Sequence, residues 1–295
     1  MVPLWERLSD LADGERDVAR MLALYRPTPY VSGCTQAVHV GSSQVLVRNY
    51  DYHPHACEGT FVHTRWLGTT VLASSDCLWG VLDGINEHGL AVALSFGGSR
   101  AVGDGFGIPL ILRYVLESCT DIAQARKVLR RVPCHMAYNV SMVDRSGAFA
   151  VAYLRPGAEP VIVRETVAAN HQGRTDWPEY VAMTRSRERK RFTKAALRDV
   201  PDGDSLVALF LEPPLYVTDY VGWHGTLYTS SYRPDDGSAE VHWRGASVHQ
   251  SIDQFTECDF DVPYYQEGLG PLTSPLPESH PLGSPSSPPT RRRGT

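Results

Sequence analysis

Between residues 34 and 98 the chain carries five short strand-like runs in quick succession: "TQAVHV", "QVLVRNY", "TTVLASS", "LWGVLDGI" and "GLAVALSF". Runs of this length, rich in Val, Leu and Thr and bounded by Gly, Ser and Asn, read as β-strands. "HVGSSQV" reads as a hairpin and "NEHG" as the turn of a second one. Two helical stretches follow. "PLILRYVLESC" has Pro109 at a first-turn position, and "DIAQARKVLRR" has Asp121 as its N-cap. Strands return at "NVSMVD", "AFAVAYL" and "PVIVRE", with 144–148 as the turn between the first two. Residues 178–198 are basic and helical, "DSLVALFLE" is a further short helix, and "GTLYTSSY" with "AEVHWRG" forms a last hairpin around "RPDDGS". Strands, then helices, then strands predict an α+β fold, with two antiparallel sheets covered by helices.

Residues 4–25 lie outside this pattern. Val18, Met21, Leu22 and Tyr25 recur at three and four residues and predict one apolar helix face, which the prolines at 27 and 29 end. Beyond about residue 266 the composition collapses to Pro, Ser, Gly and Leu, which predicts a disordered tail. The division expected is a helical segment 1–33, a domain 34–265 and a tail 266–295.

Composition excludes several classes. A net charge of −5, with Lys and Arg clustered only at 185–194 and at the extreme C-terminus, argues against a nucleic-acid partner. The N-terminal 17 residues are charged where a signal peptide needs an apolar run. The most apolar helical stretch is interrupted by Arg113 and is too short to span a bilayer. A soluble, cytoplasmic protein without a membrane partner is expected. The six cysteines contain no C-x-x-C pair, so in a reducing compartment they are free thiols.

One thiol stands apart. Cys34 follows Gly33 where the helical segment gives way to the first strand. A buried structural thiol would account for it alone, but so would a nucleophile. If the chain were cut between Gly33 and Cys34, the new α-amine, with a pKa of about 8, would share a residue with a thiol of about 8.5 and could take its proton. Gly33 lacks a side chain, which lets the sulfur approach its carbonyl. Arg48 and Asp51 close the hairpin partner of the strand that Cys34 opens. An arginine there would favour the thiolate, and a carboxylate would hold the α-ammonium; the alternative is a surface ion pair of little consequence. Asn170 ends a strand-like run, "AANHQG", where its amide could serve an oxyanion or simply form a turn.

Taken in order, Cys-Thr opening a strand, Arg-Asn-x-Asp closing its partner, "NEHGL" and the late Ala-Asn resemble the N-terminal-nucleophile hydrolases. The similarity is to the branch of penicillin acyltransferases, β-alanyl amide hydrolases and bile-salt and penicillin V amidases, and it runs from about residue 30 to 245. "SGCTQ" is most similar to the acyltransferase side. The resemblance implies a four-layer αββα sandwich, self-cleavage between Gly33 and Cys34, Cys34 as nucleophile, Arg48 and Asp51 as its partners, and Asn170 as oxyanion donor. Within "SRERKR" it implies an active-site arginine, Arg187 fitting best and Arg189 and Arg191 being alternatives. Where the amidases carry an asparagine after "NEHGL", this chain has Ser95, so the second oxyanion donor is either Ser95 or a backbone N–H near it. The implied substrate is a small amide or acyl thioester, acyl-CoA among them, with no metal and no cofactor.

Three other readings compete. His53, His55 and Cys57 alternate as metal ligands on a strand would, although Pro54 breaks the geometry. Cys134 and His135 are neighbours like the pair of a thiol protease. The fold could also serve as an uncut binding protein without catalysis.

Overall fold

The computed structural model describes residues 1–173, 176–220, 225–259, 261–266 and 270–271. Helices α1 (Val2–Leu11) and α2 (Arg16–Leu22) precede the strands β1 (Gly33–Val40), β2 (Gln44–Tyr52), β3 (Thr60–Thr64), β4 (Val71–Asp76), β5 (Gly80–Asn86) and β6 (Ala91–Phe96). Helices α3 (Ile108–Ser118) and α4 (Ile122–Arg131) come next, then β7 (Tyr138–Val143), β8 (Phe149–Leu154), β9 (Val161–Val163) and β10 (Val167–Ala169). Helices α5 (Pro178–Met183), α6 (Ser186–Ala196) and α7 (Gly203–Phe210) lead to β11 (Gly225–Arg233), β12 (Ser238–Trp243) and β13 (Ala246–Ser251).

These strands form two antiparallel sheets, one in the order β10-β1-β2-β11-β12-β13 and the other running β3 to β9 in sequence. Tyr265–Gln266 pairs with Gly270–Pro271 as a separate two-stranded ribbon at the start of the tail expected to be disordered. Val38 and Leu46 of the first sheet pack on Leu72, Ile85, Ala91 and Ala93 of the second. Outside the first sheet, Ala37, Val45 and Val47 meet Leu206 and Phe210 of α7. Outside the second, Val92, Leu94 and Phe96 meet Ile111, Val115 and Leu129 of α3 and α4. This is the αββα sandwich expected. Covering both faces of both sheets explains why β1, β4, β5, β6 and β7 are buried almost end to end and alternate so little in sequence.

Local chemistry follows the expectations closely. Pro109 sits in the first turn of α3, and Asp121 caps α4 by accepting the Gln124 N–H at 2.8 Å. Elsewhere the structure corrects the sequence. The single helix expected over 4–25 is two, parted where Asp13 and Gly14 take left-handed φ angles of 59° and 66°. The basic helix over 178–198 is also two, broken at Arg185, a non-glycine residue at φ 49°. Strands β3 and β13 were not foreseen; both are partly exposed edge strands and lack long apolar runs. The N-terminal segment docks mainly through Leu24, which joins Trp79 and Leu110, whereas Met21 is 54% exposed and faces away. From 272 onward, the tail lies outside the described residues.

Leu206 is fully buried between α7 and the first sheet. Leu206→Ala is therefore expected to cost about 2–5 kcal/mol. The measurement is a lower urea midpoint at unchanged slope.

Candidate active site

Strand β1 divides the site. Its register pairs Gly33 with Asp51, Cys34 with Tyr50, and Gln36 with Arg48. Because side chains alternate along a strand, Cys34 and Arg48 face the second sheet, while Thr35 and Asp51 face the helices outside. The nucleophile candidate and its carboxylate partner thus lie on opposite sides of the same sheet.

On the inner side, Arg48 Nη2 donates to Cys34 Sγ at 3.3 Å. The guanidinium is held by Asp83 through Nη1 and by the Leu94 carbonyl through Nε at 3.0 Å, with Tyr228 Oη 3.3 Å from Nη1. Arg48 and Asp83 are both fully buried. Asp83 is held in turn by the hydroxyls of Tyr232 and of Ser74, the latter at 2.9 Å. Burial pushes the Cys34 thiol up from its ordinary value, and Arg48 pulls it partly back.

On the outer side, Arg189 of α6 is the organising group. Its Nη1 donates to Thr35 Oγ1 and lies 3.2 Å from Asp51 Oδ2, its Nη2 donates to Asn170 Oδ1 at 2.7 Å, and its Nε donates to the Thr184 carbonyl at 2.8 Å. Thr226 Oγ1 donates to the other Asp51 oxygen at 2.7 Å. Asn170 follows β10 directly. Its Oδ1 also accepts the Cys34 backbone N–H at 2.8 Å, and its Nδ2 donates to the carbonyls of Ser32 at 3.1 Å and Phe96 at 3.3 Å.

Cys34, Arg48, Asp51, Asn170 and Gly33 therefore converge, as their placement in the sequence implied. Arg187 does not join them. It lies on another face of α6 beside Lys190, Arg191, Lys194 and His171, and the arginine that reaches Asp51 and Asn170 is Arg189. The helix break at Arg185 sets this phase: α6 starts afresh at Ser186, and a continuous helix from 178 would count its faces differently. Ser95 is not aimed at the thiol either. Its hydroxyl donates to the Ala169 carbonyl at 3.3 Å and is contacted by Asn139 Nδ2 at the same distance. Sequence reasoning missed Asp83, Asn139 and Tyr228. Asp83 had a signal, a charged residue inside a strand otherwise apolar enough to be fully buried.

The competing constellations do not assemble. His53 caps a short 3-10 turn that contains His55, so the two do not alternate on a strand, and His53 Nδ1 accepts the His55 N–H at 3.3 Å. Among the described residues no three His, Cys, Asp or Glu side chains are grouped to hold a metal ion. Burial pushes Cys134 up to about 12, and the His135 ring lies against the Phe106 carbonyl through Nδ1 at 3.3 Å. Among the described residues no helix is long and apolar enough to cross a membrane.

An αββα sandwich with a cysteine opening a central strand, an arginine on its sulfur and an asparagine on its backbone nitrogen defines the cysteine branch of the N-terminal-nucleophile fold. Residues 38–247 match the family described as acyl-coenzyme A:6-aminopenicillanic acid acyl-transferase, and the chain belongs to that family. It is accordingly an enzyme of the cysteine-nucleophile acyltransferase and amide-hydrolase kind. Among solved structures it is similar to penicillin V acylase from Agrobacterium tumefaciens, at 16% identity and a TM-score of 0.53, over 75% of this chain and 86% of that one. It is also similar to a variant of the conjugated bile acid hydrolase from Clostridium perfringens, at 13% identity and a TM-score of 0.51, over 75% and 93%. No curated protein matches the sequence.

Removing the carboxylate from Asp83 leaves the Arg48 guanidinium buried without its counter-charge. Asp83→Ala is expected to lose about 3–5 kcal/mol of stability. Chemical denaturation checks it, with Glu58→Ala, at a more exposed carboxylate, shifting the midpoint far less.

Proposed function

We propose that the protein cuts its own chain between Gly33 and Cys34, and that the liberated Cys34 then transfers acyl groups from small amides or acyl thioesters. The observation that carries this reading is the convergence of Arg48 on the thiol and of Asn170 on the nitrogen of one residue, which follows a glycine. In the uncut chain that nitrogen is an amide and cannot take a proton. Attack of the Cys34 thiolate on the Gly33 carbonyl gives a thioester, and water then releases residues 1–33. The new α-amine becomes the base for its own thiol. Asp51, paired with Gly33 across the sheet, is the nearby carboxylate that would hold the α-ammonium, with Arg189 fixing it in place.

Each substrate turnover follows from these groups. The thiol proton passes to the α-amine, the thiolate attacks the substrate carbonyl, and Asn170 Nδ2 donates to the oxygen that becomes negative. The amine or thiol leaves with the proton, and the Cys34 thioester passes its acyl group to water or to an acceptor amine. A cavity of about 600 Å³, walled by Phe61, Val62, Leu82, Trp243 and Phe255, abuts Tyr228 and through it Arg48. We assign it to the apolar part of the substrate; its size suits a small molecule. No cofactor enters the scheme, and the cytoplasm remains the proposed compartment.

Intact mass tests the first half: wild type should yield fragments 1–33 and 34–295, and Cys34→Ala should stay whole. A wild-type chain that remains whole while still hydrolysing amides would refute the processing step. Incubation with a panel of amides and acyl thioesters should leave an acyl adduct on Cys34. Arg189→Ala is expected to lower turnover by about a hundredfold or more, because it releases both Asp51 and Asn170. Arg187→Ala should change it little.

The raised Cys34 pKa fixes the sign of a pH effect. A thiol pushed upward is protonated at neutral pH, so self-cleavage by the thiolate should accelerate as pH rises and keep climbing past about 8.5, the ordinary thiol value. A cleavage rate flat from pH 6 to 9 would show that thiol ionisation does not limit the step.

A further inference from the structure

Ser95 is tied to Ala169, which leaves the second oxyanion donor to be found. The uncut chain identifies a candidate through the carbonyl of Ser32, two residues before Cys34. That single oxygen accepts from Asn170 Nδ2 at 3.1 Å and from Tyr180 Oη at 2.6 Å. The thiol is close by, with Cys34 Sγ 3.9 Å from the Ser32 hydroxyl. Two donors from different segments thus meet on a carbonyl oxygen beside the nucleophile, and one of them is the amide already assigned to the oxyanion. Their distances are near those of a working oxyanion hole, about 2.7–3.1 Å. When the cut end of residues 30–33 withdraws, the site it vacates presents the same two donors to a substrate carbonyl.

We propose, on the reading of Cys34 as nucleophile, that Tyr180 is a catalytic residue whose hydroxyl, with Asn170 Nδ2, binds the negative oxygen of the tetrahedral intermediate. The step balances. Cys34 Sγ forms the C–S bond, and the carbonyl π pair moves onto oxygen, where Tyr180 and Asn170 each donate a hydrogen bond without giving up a proton. Collapse of the intermediate breaks the C–N or C–S bond to the leaving group, which takes its proton from the Cys34 α-ammonium.

The phenol is built for that role. Tyr180 is 1% exposed, and its ring packs edge-on against Phe96 at 5.1 Å and tilted against Trp177 at 5.1 Å, so the hydroxyl is aimed before substrate arrives. Burial, and then the neighbouring Cys34, hold it well above the ordinary tyrosine value, so it keeps its proton at every working pH. It also comes from α5, not from the strand after "NEHGL" where the related amidases carry their asparagine. The site therefore obtains its second donor from a different part of the chain.

The test uses p-nitrophenyl acetate as an acylating probe, reading both the nitrophenolate burst and the mass of the Cys34 adduct. Tyr180→Phe, cut and folded as wild type, should acylate about a hundredfold more slowly. The half-saturating probe concentration should not change, because the lost bond belongs to the transition state and not to binding. Should Tyr180→Phe fail to fold or to be cut, 3-fluorotyrosine at position 180, close in size and a stronger donor, should raise the acylation rate above wild type. A Tyr180→Phe protein that acylates within threefold of wild type overturns the inference, as does an unchanged rate with fluorotyrosine. So does a hundredfold loss in Ser95→Ala with none in Tyr180→Phe. If wild-type Cys34 takes no adduct at all, the nucleophile reading fails and this inference falls with it.

Discussion

A buried ion pair joins the two sheets at the level of the thiol. Arg48 belongs to β2 of one sheet and Asp83 to β5 of the other, and neither is accessible to water. Taking both charges out of water is expensive, and attraction alone seldom repays it. Here the remaining donors and acceptors are matched: Leu94 accepts from Nε, and Ser74 and Tyr232 donate to the carboxylate. The guanidinium cannot turn away without stranding Asp83. That rigidity fixes an Nη2 N–H on Cys34 Sγ, and it fixes the spacing of the sheets around the site.

The second cation works on the other side of β1. Arg189 reads Thr35, Asp51 and Asn170 at once, so a single helix side chain sets the positions of a carboxylate and an amide that come from different strands. Cys34 is thus flanked twice, with its sulfur addressed from between the sheets and its nitrogen from beneath the outer helices. A strand is suited to this because consecutive groups along it point to opposite faces. A helix would have spread the same partners around a cylinder.

Much of this was legible in the residues. The strand-helix-strand order gave the layers, and the Gly-Cys step with Arg48, Asp51 and Asn170 marked the site, because strand register brings those residues together. Arg187 was preferred over Arg189 because the three arginines of "SRERKR" look alike in sequence. Only the left-handed kink at Arg185 determines which of them points inward. Tyr180 carried no motif: an aromatic residue in a short helix is usually core, and its hydroxyl matters only through a contact with a residue 148 positions away. Asp83 was visible as a charge in a buried strand, but its partner was not, since nothing local pairs it with Arg48. What sequence missed at Asp83 and Tyr180 was a contact with a residue far along the chain.

The uncut chain holds these groups in a resting arrangement, and the chemistry of one nitrogen explains why. As an amide it donates its N–H to Asn170 Oδ1 and has no basicity to offer the thiol. Burial meanwhile favours the protonated sulfur, so of the groups needed for attack only Arg48 pulls toward the thiolate. Both donors proposed for the oxyanion are occupied by the Ser32 carbonyl, which precedes the proposed cleavage point. On the proposed cleavage after Gly33, a non-basic nitrogen would become an amine beside the sulfur, and withdrawal of the cut end would free the hydrogen-bond donors that its carbonyl covers. Coupling the base to the vacancy in this way would join the gain of a proton acceptor for later turnovers to the opening of the place that a substrate carbonyl needs.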